Sequence, residues 1–222
     1  MVVLLLACTG PEDTGETGRD TGAEVVWDDC GEWDRSETLN ATFNWAWDED
    51  QDWAVTWTTS VVDRQVTDAG QRFIVVTEGD SSAPGTQEYT WRFESHVGCE
   101  DGWVTRWWSH SATHIVSSSG EVTEDIYTTE YDNGYRLLPT SLSVGDTFTT
   151  GGDRRFIVDG EVLFEDALEK DWEVLEASSV VVPAGVFDSL RATDGDGVVH
   201  IVRDLGFVRW EGFSWLLSTE GL

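Results

Sequence analysis

The chain reads as mainly β: a curved antiparallel sheet, an open barrel or half-barrel, with at most one or two short helices. Three observations predict it. Apolar residues recur with period two from Ala41 onward. Turn signals separate these runs at intervals near ten residues. The 13 Trp, 9 Phe and 4 Tyr supply ample apolar area for a core, since each buried aromatic removes roughly 150–250 Å² from water.

The first thirty residues stand apart. MVVLLLA is too short to span a bilayer, which takes roughly 20 apolar residues. It is followed by CTGPEDTGETGRDTGAE, in which Thr-Gly alternates with acids. Gly is costly to order and the acids repel one another, so residues 8–29 read as a solvated tether. The domain divisions expected are a truncated signal segment over 1–7, the tether over 8–29 and one β-rich domain over 30–222.

The strands then follow in order. In ATFNWAW, Phe43, Trp45 and Trp47 alternate with polar or small residues. The acidic DEDQD makes a hairpin loop, and WAVTWTTSV places Trp53, Val55, Trp57, Thr59 and Val61 on one face. Phe73, Val75 and Thr77 continue the pattern. In EYTWRFE, Tyr89, Trp91 and Phe93 face one way while Glu88, Thr90, Arg92 and Glu94 face the other. GWVTRWWSH, THIVSS, EVTEDIYTTEY, RRFIVDG, EVLFED, DWEVLEASSVVV, VFDSLRAT, GVVHIVRD, GFVRWEG and FSWLLS extend it. Asn133-Gly134, Asp159-Gly160, Pro183-Ala184-Gly185 and Asp194-Gly195-Asp196-Gly197 mark turns. Residues Leu163 to Leu175 fit a helix about as well as a strand.

Charge narrows the function classes. The net charge of −30 repels phosphate backbones and anionic headgroups, which disfavours nucleic-acid binding. It suits solubility of a Trp-rich chain, and it is compatible with a cationic partner or a metal cation.

Leu5-Leu6-Ala7-Cys8 resembles the lipobox of bacterial lipoproteins. The resemblance implies cleavage before Cys8, a lipid on Cys8 and residence in the cell envelope; Thr9 in place of Asp leans toward the outer membrane. The n-region lacks the usual positive charge and the apolar run is short, which places the true start codon upstream. With Cys8 lipidated, Cys30 and Cys99 remain as a pair, and an oxidising compartment favours a disulfide between them. A second resemblance spans Leu137 to Trp215. LLPTSLSVGDTF, VVVPAGVFDSLRA and VRDLGFVRWEG are similar to segments of exported β-proteins with a LolA/LolB-like half-barrel. This implies the fold and no activity.

Chemistry-bearing patterns are few. Asp48, Asp50 and Asp52 have calcium-loop spacing, but Trp53 stands where the loop needs Gly and Thr59 where it needs Glu. Asp194 and Asp196 likewise lack the distal Glu. His110 and His114 have metal-ligand spacing for a helix, yet a strand would hold them roughly 13 Å apart at ~3.3 Å per residue. Ser81 sits in a protease-like GDSSAP but no His precedes it in the chain. The expectation is therefore a non-enzymatic envelope lipoprotein, with no metal and no cofactor. Its partners are a membrane, through Cys8, and an apolar ligand or envelope protein on an aromatic sheet face of Trp45, Trp47, Trp53, Trp57 and Trp91. Two alternatives stay open: a structural lipoprotein whose core is filled by its own side chains, and a calcium-binding envelope protein.

Overall fold

The computed structural model describes residues 42–47, 54–67, 70–82, 88–117 and 119–220. Among them the strands are β1 (Thr42–Trp47), β2 (Ala54–Thr67), β3 (Gly70–Ser82), β4 (Glu88–Glu100), β5 (Trp103–Val116) and β6 (Val122–Pro139). They continue with β7 (Thr147–Val158), β8 (Glu161–Val182), β9 (Gly185–Thr193), β10 (Val198–Val202), β11 (Gly206–Trp210) and β12 (Ser214–Glu220). Each strand pairs antiparallel with its sequence neighbours, and β1 pairs with β12, so the sheet is a closed up-and-down barrel. The β-rich expectation holds. The open half-barrel does not: the sheet has no free long side, because the first and last strands meet.

Asn44 clamps that seam. Its Nδ2 donates to Ser218 Oγ of β12 at 2.9 Å, and its Oδ1 accepts from Thr58 Oγ1 of β2 at 2.8 Å. One amide thus bridges three strands. Elsewhere local turn chemistry connects neighbours. Asp101-Gly102 and Asp159-Gly160 join β4 to β5 and β7 to β8 with positive φ at both residues (51° and 78°, 52° and 81°). Two such residues twist with the flanking strands, and Asx-Gly accepts that conformation at least cost.

One open reading is decided here and one expectation corrected. Leu163 to Leu175 is strand, part of the 22-residue β8, and no residue described is helical. Pairing decides it: Glu161 to Glu173 forms a regular ladder with β7, broken by one bulge. Asn133-Gly134 is no hairpin turn but an irregularity inside β6, between Tyr131 and Arg136. Gly134 has φ of 77°, and a Cβ there would sit 2.3 Å from Thr105 Cγ2. The chain needs glycine to pass that point.

Cross-strand pairs define the two faces of the wall. One inward ladder runs Phe43, Thr59, Thr77, Phe93, Ser111, Tyr127. Another runs Val61, Val75, Ser95, Ser109, Thr129, Phe156. The outward face of β3 to β6 carries Glu78, Arg92, Glu94, His96, Trp108 and Glu130.

The lumen is filled at one end. Leu138, Phe148, Trp172, Val174, Ala192, Val199 and Ile201 pack there with Val97 and Val104. Trp172 is the hub: its ring stacks on Phe148 (6.1 Å, 9°) and lies 6.2 Å from Phe207, and its indole Nε1 donates to Thr150 Oγ1 at 3.0 Å. A second cluster joins Phe43, Val61 and Phe73 to Val180, Val182, Val208 and Leu216. The VVVPAGVF segment serves this packing. Pro183 follows β8, Ala184 N–H donates to Leu216 O (3.2 Å), and Phe187 leans on the cluster.

Candidate functional site

Away from the packed end, the lumen holds a cavity of about 380 Å³. The wall on one side is aromatic: Phe43 and Trp45 of β1, Trp57 of β2, Phe93 of β4 and Phe207 of β11. Trp45 and Trp57 are direct cross-strand partners and stack at 6.1 Å with 6° between planes. Small side chains, Thr59, Thr77 and Ser95, lie between the rings, and Val97, Val104, Leu138 and Val199 form the floor against the packed end. A second hollow continues along the same inward face and shares Trp57 and Thr77 with the first. Val55, Ser81, Tyr89, Trp91 and Thr113 complete it. Trp91 lies flat over Gly79, where an added Cβ would come within 2.2 Å of the indole. The glycine makes room for the ring.

Period two in the sequence places Trp45, Trp57 and Trp91 on one face, and the structure brings these three to the lumen. Trp47 is the last residue of β1, and its side chain lies outside the described residues, as do Trp53, Cys8 and Cys30. Cys99 is 9% exposed, in the packed end, and is disulfide-bonded.

Sequence reasoning missed the charged members of the site. Arg106 of β5 lines the cavity with its guanidinium 5.0 Å from the centre of the Phe93 ring. It is paired across strands with Val97 and Tyr135, both on the inward ladder. Burial pushes the Tyr135 hydroxyl above its ordinary pKa, and the positive charges of Arg106, Arg154 and Lys170 act against that rise. Three cations therefore converge on one tyrosine in a chain of net charge −30. Arg154 is engaged by Asp166, with Nη2 donating to Oδ2 at 2.9 Å. Lys170 pairs with Asp194, whose carboxylate is shielded from solvent and also accepts from the backbone N–H groups of Gly197 (2.7 Å) and Asp196 (3.0 Å). Burial pushes the Asp194 carboxyl up, but the Lys170 hydrogen bond and the two amides together hold it below its usual value. The turn at Asp194 to Gly197 is thus occupied by its own chain.

His110 and His114 lie on one strand, paired across to β6 with Thr128 and Glu124. His110 Nδ1 is 3.2 Å from Thr128 Oγ1, and His114 Nδ1 is 3.5 Å from Glu124 Oε1. No group of three His, Cys, Asp or Glu among the described residues is placed to hold a metal ion. The Asp48, Asp50 and Asp52 triplet lies outside those residues.

Another polar chain crosses β8, β9 and β10. Ser189 Oγ lies 3.3 Å from His200 Nδ1, and His200 Nε2 lies 3.0 Å from Glu211 Oε1. The residue types are those of a hydrolytic triad. Here, however, Ser189 is 6% exposed, its Oγ donates to Ser178 O at 3.2 Å, and Glu211 is also held by Arg191 Nε at 3.0 Å. A serine shielded in this way, with its hydroxyl committed to a backbone carbonyl, is a cross-strand clamp.

Comparison with family models, with curated proteins and with solved structures finds no match. The reading of function rests on the lumen itself.

Proposed function

We propose that the chain is a non-enzymatic binding protein that holds an apolar ligand inside its barrel. The observation that carries this is the lumen cavity of about 380 Å³ walled by Phe43, Trp45, Trp57, Phe93 and Phe207. Small-molecule sites are concave, mostly apolar, furnished with a few polar groups and typically 300–1,000 Å³ in volume. The hydrophobic gain from filling it scales with the apolar area removed from water, roughly 25 cal/mol per Å².

The proposal extends to location. Cys8 carries a lipid, the acidic tether spaces the barrel from an envelope membrane, and the outer membrane is the site of the anchor. The charged outward face favours a barrel held in water over one inserted in lipid: Glu78, Arg92, Glu94 and Glu130 sit where a membrane-spanning barrel carries an apolar band. A Cys8→Ala chain is expected to leave the membrane fraction, and its continued partition with membranes overturns the anchor.

Native mass spectrometry of the full chain purified from its envelope tests the ligand. A bound apolar molecule, lost in a Trp57→Arg variant of unchanged far-UV spectrum, is the expected result. An empty protein that also fails to quench its Trp emission with dodecanol overturns the reading in favour of a filled structural core.

A further inference from the structure

We infer that the lumen takes an amphipathic monoanion: an apolar chain along the Trp45–Trp57 wall, with its carboxylate on Arg106. This rests on the lumen being a ligand site and specifies what enters it.

The three cations near Tyr135 differ in one respect. Arg154 has Asp166 and Lys170 has Asp194. Arg106 has no carboxylate among the described residues, and its Nε is buried without a hydrogen-bond partner. Its guanidinium lies 5.0 Å from the centre of the Phe93 ring. A cation over an aromatic ring recovers part of the solvation that burial removes, but the planar guanidinium still has five donors to satisfy. Buried charges are ordinarily paired, because an unpaired one bears its full desolvation cost. Arg106 is half-buried, and its buried Nε lies on the wall of a cavity, beside apolar Val97, Val104 and Phe93. A carboxylate there accepts two parallel N–H bonds from the guanidinium, the geometry in which Arg binds most strongly.

Size and charge complete the assignment. A volume of about 380 Å³ holds roughly a dozen water-sized groups at ~30 Å³ each, which matches a medium-length alkyl chain. The chain is strongly acidic, so its surface offers the anion little; in the lumen Arg106 has no carboxylate partner among the described residues, while Asp166 and Asp194 are neutralised by Arg154 and Lys170. Arg209 also lines the cavity, its guanidinium 5.9 Å from the centre of the Trp215 ring, and a single carboxylate needs only one of the two guanidinium groups.

Titration of the delipidated full chain with dodecanoate and with dodecanol, followed by calorimetry and Trp emission, tests the inference. Dodecanoate is expected to bind at least tenfold more tightly than dodecanol. Arg106→Met, a change of similar length without charge, is expected to abolish that preference while leaving dodecanol binding intact. Arg106→Lys keeps a point charge and retains part of the preference. Equal affinities for the two probes, or a preference that survives in Arg106→Met, overturns the anion assignment while the apolar site stands. Failure of both probes to bind overturns the site and the assignment together. Dodecanol binding by Arg106→Met itself reports that the variant is folded.

Discussion

Truncating Trp172 removes the ring on which the packed end of the barrel depends, and the cost can be worked from its contacts. The side chain is 6% exposed. It stacks on Phe148, meets Phe207 at 6.2 Å and Trp210 at 6.3 Å, and donates Nε1–H to Thr150 at 3.0 Å. Buried Trp→Ala changes cost about 3–5 kcal/mol. Three aromatic neighbours and a satisfied donor place Trp172→Ala near the top of that range, about 5 kcal/mol. Trp172→Phe keeps the stacking and loses the hydrogen bond, which costs about 1 kcal/mol, plus a small void. Equilibrium urea unfolding followed by far-UV circular dichroism, with the disulfide intact, measures both. At a slope of ~3 kcal/mol/M the midpoints fall by about 1.7 M for Ala and about 0.5 M for Phe. Where Trp172→Ala is too unstable to purify, the Phe variant supplies the graded value. Midpoint shifts under about 0.3 M for both variants mean that the ring is not packed as described.

Gly151→Ala is expected to cost about 3 kcal/mol in the same unfolding experiment, because φ there is 133° and a Cβ would meet Leu168 O at 1.9 Å; a neutral result refutes that backbone path. Acid is expected to unfold the protein as pH falls below the ordinary carboxylate range. Asp194, Asp166 (through its hydrogen bond from Arg154) and Glu211 (through that from Arg191) are all depressed in the fold. A depressed folded value contributes stability above the unfolded pKa, near 4, and loses it as pH falls through the folded one. Lys170→Met removes the main support of the Asp194 anion, so its loss of stability is expected to be larger at pH 7 than at pH 3, read from thermal midpoints. Cys99→Ser is expected to cost about 4 kcal/mol, as for a loop of about 70 residues if Cys30 is the partner; peptide mapping without reductant that finds no Cys30–Cys99 link refutes the pairing.

The sheet and its inward face were legible because period two is a local signal. Trp45, Trp57 and Trp91 needed only alternation to be grouped, and pairing keeps them on one side of the wall. Arg106 was hidden by a bulge. β5 slips register between Arg106 and Trp108 against β6, so Arg106 shares the inward side with Val104 while Trp108 turns outward beside His96 and Glu130. Counting by twos through that point puts Arg106 and Trp108 together. The segment Leu163 to Leu175 stayed open between helix and strand for another reason. Residues 161–169 are exposed on both faces, and β9 pairs with β8 only from Glu173 onward. No burial enforces alternation there, so the pattern drifts toward a helical one. Closure was out of reach because the seam partners, Asn44 and Ser218, are 174 residues apart and no local motif announces them.

The void follows from strand number and side-chain size together, independent of any ligand. Eight strands give an interior that side chains just fill, and diameter grows with strand count. Twelve strands therefore require large residues from opposite walls to meet. At one end they do: Trp172 of β8, stacked on Phe148 of β7, meets Phe207 of β11. Further along, four of the inward positions of β4 to β6, Ser95, Ser109, Ser111 and Thr129, are buried and small, beside the larger Phe93 and Tyr127. Of these, Ser95 lines the cavity together with Trp45 and Trp57. Filling it from within would take large apolar residues at the small positions of its lining, Thr59, Thr77 and Ser95. Thr77→Leu and Ser95→Leu are therefore the substitutions by which the barrel would trade its cavity for a core, and the retained small side chains are what keep the lumen open.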